Sequence, residues 1–189
     1  MADIKINEKL VVSQTGTAEP VLASNVDLSS ATGIPAAGIT GTLGSGVTFP
    51  AGHILQIVEG TLTVQSTTSS TSYVDSGLNA SITPSSASNK ILILSNMQAC
   101  RSSQGGASGL GLRVVRDSTP LYTPGANHNV YWGASGGYIP WNDQYLDSPN
   151  TTSSLTYKIQ YASYSGSYSV IVNQGGQFRS SITLLEIKG

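Results

Sequence analysis

The sequence predicts an all-β protein: an antiparallel β-sandwich of jelly-roll-like kind, preceded by an extended N-terminal arm and a Gly-rich stem. Three observations carry that prediction. Apolar residues nowhere hold a 3.6-residue period over three turns, so no amphipathic helix is indicated. Short runs rich in Val, Ile, Tyr and Thr recur instead, separated by turn signals such as Gly105-Gly106, Pro124-Gly125, Ser148-Pro149-Asn150 and Gly175-Gly176. Charged residues make up only 10% of the 189-residue chain, against about 25% in an average soluble domain, so the surface must be polar but largely uncharged.

The clearest pair of strands flanks Pro84. Leu78, Ala80 and Ile82 alternate with polar neighbours, which marks a strand with one wet face. Ile91 to Leu94 are continuously apolar, as in a strand buried on both faces. Pro84 and the Ser/Asn-rich residues after it can continue neither strand, so a hairpin reversal is expected, with the second strand central to the core. Further strands are expected over 54–58, 62–64, 110–116, 121–123, 129–132, 138–146, 156–164, 168–172 and 181–187, with the Ser/Thr tract 67–72 as a connection. In the last of them Ile182, Leu184 and Glu186 alternate with Thr183, Leu185 and Ile187. Both faces are therefore substantially apolar, which places this strand inside the sheet or in a subunit contact.

Upstream, the pattern divides the chain into an arm (1–27), a stem (28–52) and a head (53–189). The arm holds six charges and two short alternations, Ile4 with Ile6 and Leu10 with Val12. A hairpin there is too small to be stable alone, so its apolar face is expected to be covered by something else, and these four residues are the candidates for anchoring. From Leu28 to Val58 there is no Asp, Glu, Lys or Arg. Glycines recur, and Ile34, Ile39, Leu43, Val47 and Phe49 stand as single apolar residues between them. Glycine and Pro35 disfavour a helix. A flexible linker is the ordinary alternative, but apolar residues spaced regularly in an uncharged tract favour an extended stem in which these five residues from several chains meet on a common axis, as trimer contacts.

Catalytic chemistry finds little support. His53 and His128 lack histidine partners at metal-ligand spacing, and no GxSxG or GxGxxG pattern is present. Asp143 and Asp147 are the close carboxylate pair of the head, and Asp147 before Ser148-Pro149 reads as a turn-capping residue. The single cysteine, Cys100, reads as a small buried hydrophobe. A net charge of −1 with scattered Lys and Arg offers no footprint for nucleic acid. No run approaches the ~18 apolar residues of a membrane span and no signal peptide is seen, so cytoplasmic synthesis without membrane insertion is expected. Eight of the nine tyrosines and both tryptophans fall between Tyr122 and Tyr168. Tyr131, Trp132, Tyr138 and Trp141, with Asp143, are candidates for binding a glycan or a protein partner, while the ordinary alternative places such rings in the core or a subunit interface.

Four stretches together resemble a known group: Gly33-Ile34-Pro35-Ala36-Ala37-Gly38-Ile39-Thr40-Gly41-Thr42-Leu43, the run from Thr71 to Leu92, Tyr145-Leu146-Asp147-Ser148-Pro149, and Ile182-Thr183-Leu184-Leu185-Glu186-Ile187. They are similar to the fibre-like virion proteins of tailed phages, especially those of cyanobacterial and marine bacteria. The resemblance implies a β-rich head, a homotrimer, a place on the virion surface and no enzymatic activity, and it carries over no catalytic residue, metal or cofactor. Within these 189 residues neither the extended shaft nor the baseplate-attachment domain of a long tail fibre is recognisable. The expectation is therefore a capsid decoration, or cement protein, or a short head fibre, whose arm clamps onto the major capsid protein or another virion protein. The alternative is a tail-fibre receptor-binding module that recognises host surface glycans.

Overall fold

The computed structural model describes residues 4–6, 9–13, 21–22, 49–103, 108–125, 128–133 and 137–189. The chain divides into two units, Met1–Val47 and Thr48–Gly189. In the first, β1 (Ile4–Ile6), β2 (Lys9–Ser13) and β3 (Val21–Leu22) form an antiparallel sheet in that order. Ile4 lies opposite Val12 and Lys5 opposite Leu10, so the two alternations read from the sequence are the two sides of one hairpin. Ile34, Ile39, Leu43 and Val47 lie outside the described residues.

Eight main strands build the second unit. They are β4 (Ile54–Leu62), β6 (Val74–Ile82), β7 (Lys90–Ser102), β8 (Ser108–Arg116), β10 (Val130–Trp132), β11 (Ile139–Asp147), β12 (Leu155–Ser163) and β14 (Ser180–Ile187). Short strands β5 (Ser66–Thr68), β9 (Thr119–Pro120) and β13 (Val170–Val172) extend them. The pairing is nested: β4 with β14, β6 with β12, β7 with β11, and β8 with β10, all antiparallel. The chain thus resembles one long ribbon folded back on itself between β8 and β10. Two further ladders, β14 with β7 and β12 with β8, join the four pairs into the sheets β4-β14-β7-β11 and β6-β12-β8-β10. Packed face to face, these two sheets make a β-sandwich with the strand order of a jelly roll.

Period-two alternation fixes which face is dry. In β6, Ser76, Leu78, Ala80 and Ile82 are buried and their neighbours exposed; in β14, Ser180, Ile182, Leu184 and Glu186 are buried. Leu78, Leu110, Leu112, Tyr157 and Ile159 from one sheet meet Ile91, Ile93, Met97, Ile182 and Leu184 from the other in a single core. The sheets come closest where β4 passes β6. A methyl group built on Gly60 would lie 1.8 Å from the Asn79 carbonyl oxygen, a backbone atom that cannot swing away. Gly60→Ala is expected to force the strands apart and to destabilise the fold by about 2 kcal/mol, read as a lower urea midpoint.

Four local expectations are corrected. The reversal at Pro84 is no hairpin, because β6 and β7 lie in opposite sheets and residues 83–89 carry the chain across the sandwich. Ile91 and Ile93 are buried, but Leu92 is half-buried and Leu94 is 39% exposed, so the apolar run is covered on one face only. Part of the Ser/Thr tract is the strand β5, paired with β13. Leu121 to Thr123 form no strand; β9 just before them pairs with β8, and Leu121 packs against the core.

Two polar locks tie the sandwich together. Glu186, fully buried on β14, accepts hydrogen bonds from Gln56 Nε2 at 2.6 Å, Ser85 N at 2.7 Å, Ser85 Oγ at 2.8 Å and Asn89 Nδ2 at 2.5 Å. It pins the β6–β7 crossover to the last strand. Asp147, at the end of β11, takes Arg116 Nη1 on both oxygens at 3.0 and 2.7 Å, and the Tyr157 hydroxyl at 2.7 Å. Since Arg116 and Tyr157 belong to the other sheet, this buried carboxylate bridges the layers and does not serve as the turn cap its sequence context suggests. Burial, and then the acceptor Asp147, push the Tyr157 phenol well above its ordinary range.

Candidate interaction face

The outer face of the β4-β14-β7-β11 sheet carries the most distinctive surface. Register places Leu146 opposite Leu92, Leu92 opposite Leu185, and Leu185 opposite Ile57, so four aliphatic side chains form one row across all four strands. Ile57 is 62% and Leu146 50% exposed. On one side of the row stand Leu94 and Thr183, and towards the chain end Ile187 faces Ile54. The alternation that buries Ile91, Ile93, Ile182 and Leu184 necessarily turns Leu92, Leu94, Leu185 and Ile187 outward. No sequence signal names this patch directly, but the continuous apolar run of β7 and the two-faced β14 both lead to it.

Beyond the aliphatic row the face becomes polar, with Asp143 as its half-buried carboxyl group. A shallow depression of about 540 Å3 is lined by Leu94, Asn96, Asn142, Gln144, Ser181 and Thr183, with Asp143 and Ser95 at its floor. Gln98 Nε2 donates to Asn96 Oδ1 at 2.7 Å, and Asn96 Nδ2 donates to Asn142 Oδ1, which orders the amides in a ladder across β7 and β11. Gln144, Ser181 and Thr183 keep their side-chain hydrogen-bonding groups available. Farther along, the exposed rings of Tyr138 and Phe178 lie 6.3 Å apart, and the Arg101 guanidinium sits 5.7 Å from the Tyr138 centroid.

The residues singled out from the sequence are dispersed. Trp132 and Trp141 belong to the core, 3% and 8% exposed, and the Trp132 indole N–H donates to the Gly137 carbonyl at 2.8 Å. Both stand on strands, and tertiary packing closes over both rings. Tyr138 is open and flanks the amide face. Tyr131 is open too but sits on β10 of the other sheet, near His128 and Tyr164. Asp143 is half-buried on β11, and burial raises its carboxyl pKa against a smaller lowering by the Gln144 backbone N–H. Phe49, 39% exposed, stacks on His53 with 5.1 Å between ring centroids. Cys100 is buried, and desolvation pushes its thiol up to about 12, so it stays protonated at neutral pH. Among the described residues, no cluster of three or more His, Cys, Asp or Glu side chains could hold a metal ion.

No protein-family model matches the chain, and no curated protein matches it either. Among solved structures the chain is similar to one in the structure of infectious bursal disease virus Gt strain, with 15% sequence identity and a TM-score of 0.36 over 89% of this chain. The match covers 47% of that chain, so this chain spans about half its length.

Proposed function

We propose that the chain is a non-enzymatic surface protein of a tailed-phage virion, a capsid decoration or short head fibre that assembles as a homotrimer and is anchored by its N-terminal arm. The observation that carries this reading is the placement of the residues on which the sequence resemblance rests. Ser85 and Asn89 of the second stretch converge on Glu186 of the last, and Asp147 of the third bridges the two sheets. These motifs supply the polar locks of the jelly roll, which supports a head fold held in common with the fibre-like proteins. A jelly roll occurs in viral coats and in lectins alike, so the fold alone does not select the function.

The mechanism is cementing. In this reading Ile4, Ile6, Leu10 and Val12 of the arm bind the major capsid protein or another virion protein, where burial of apolar groups stabilises both sides. Three tethered arms raise the effective concentration of the second and third contacts, so weak individual binding becomes durable attachment. Deleting residues 1–27 is expected to reduce sedimentation with purified particles to background while the circular dichroism of the head persists. Undiminished particle binding by the deletion would sink the anchor. The glycan-binding alternative now relies on the open rings of Tyr131 and Tyr138, since the two tryptophans are committed to the core.

A further inference from the structure

We infer that the outer face of the β4-β14-β7-β11 sheet is the contact between heads of neighbouring copies of this chain, an inference that rests on the homotrimer proposed above. Three contiguous rows carry it: Ile187 with Ile54, Leu146-Leu92-Leu185-Ile57, and Leu94 beside Thr183. A sheet that is apolar on both faces is built to be covered on both. The inner face is covered by the opposite sheet, and the outer one, among the described residues of the second unit, by nothing.

The chemistry of the face selects a second copy as its occupant. Charges on it are few: Lys90 and Glu59 at its margins, with Glu59 already paired with Arg179 at 2.7 Å, Arg101 beside Tyr138, and Asp143 half-buried in the depression. In a closed trimer each such face meets its two neighbours around the axis, and with so few charges it does so with little like-charge opposition, whereas a strongly anionic or cationic partner finds little to grip. The polar part is self-complementary: Asn142, Gln144, Ser181 and Thr183 each offer donor and acceptor groups, which an identical set can satisfy. Aliphatic side chains at the centre with uncharged polar groups and the aromatics Tyr138 and Phe178 around them match the anatomy of subunit interfaces. Four strands about 4.8 Å apart and roughly 30 Å long present on the order of 600 Å2 of plane, close to the ~800 Å2 per partner of a stable complex. Ile54, the first residue of β4, stands at the edge of the apolar rows, so copies joined here bring the starts of their heads together, as a bundle of arms requires.

The test is the mass of the full-length protein in solution, measured by light scattering on a sizing column. Wild type is expected at three times the 19.6 kDa chain mass, and the double variant Ile57→Lys/Leu146→Lys at the monomer mass with an unchanged melting temperature. Gln144→Arg, which puts a charge in the amide depression, serves as a second variant and is expected to weaken association at least tenfold. A trimer that persists in both variants, or a wild-type monomer, overturns the inference. A wild-type dimer abolished by the substitutions upholds the contact and overturns the trimer. Sedimentation with particles answers separately: a monomer that still binds them leaves the virion role standing without this interface.

Discussion

Glu186→Ala is expected to cost the head roughly 3–4 kcal/mol, measured by urea unfolding at neutral pH. The carboxylate is fully buried, and desolvation alone would raise its pKa, but the hydrogen bonds from Asn89, Gln56 and Ser85 outweigh burial and hold it below the ordinary glutamate range. Alanine removes the acceptor and leaves donors stranded. The worst case is Asn89, only 1% exposed, whose amide loses its best partner; an unsatisfied buried donor costs about 1–3 kcal/mol, and the cavity and the loosened crossover add to it. Glu186→Gln is the milder test. Its new amide must face Gln56 Nε2, which cannot turn over without losing the Thr83 carbonyl it also binds at 2.8 Å.

The same site sets an acid limit. A carboxylate with a depressed folded-state pKa stabilises the fold fully above its unfolded pKa, and that contribution disappears as pH falls through the folded value. Below the ordinary glutamate value of 4.5, wild type should therefore lose stability more steeply than Glu186→Gln, and the gap between them should narrow as the pH falls. Asp75, whose pKa is lowered first by its hydrogen bond from Lys158 and then by that from Gln160, contributes a slope common to both proteins. Parallel stability curves from pH 7 to pH 2 would mean that folding leaves the Glu186 pKa unchanged, and a wild type that gains on Glu186→Gln as the pH falls would mean that the buried carboxyl is protonated in the folded head.

These two-way dependences explain what the sequence could and could not disclose. Alternation is a local property, so the strands at Leu78–Ile82, Leu110–Arg116 and Ser181–Ile187 were legible, and with them the all-β class. Pairing is not local. β4 lies against β14, whose residues are more than a hundred positions away, and nothing in either strand names the other. Pro84 says that a strand stops but not which sheet the chain joins next, which is why a crossover reads as a hairpin. Glu186 looked like one polar residue on a mixed face because its donors come from remote positions, Gln56 on β4 and Ser85 and Asn89 in the crossover. Trp132 and Trp141 could equally have faced a partner or the core, because their burial depends on strands packed from elsewhere in the chain. The outer face behaves differently: its apolar residues are as visible in the sequence as those of the core, and only the structure shows which half of them the single chain leaves uncovered.

Asp147→Ala, the second large effect, is expected to cost about 3 kcal/mol, because it leaves the Arg116 guanidinium and the buried Tyr157 hydroxyl without their common acceptor. The loss falls at the lower end of the range for a broken buried ion pair, since the Arg116 side chain is 25% exposed and can recruit water, while Tyr157 is fully buried and cannot. Replacing the whole set separates pairing from packing. Arg116→Met/Asp147→Leu/Tyr157→Phe removes every group that would be left unsatisfied and keeps similar volume, and it should recover most of the loss, because desolvating an ion pair consumes much of what its attraction contributes. Urea midpoints of the single, triple and parent proteins check this. A triple variant as unstable as Asp147→Ala would show that the bridge between sheets depends on directed hydrogen bonds that apolar contact cannot replace. Recovery would assign to Asp147 a narrower role: the pair crosses from β11 to β8 and β12, so it fixes the register of one sheet over the other without adding much net stability.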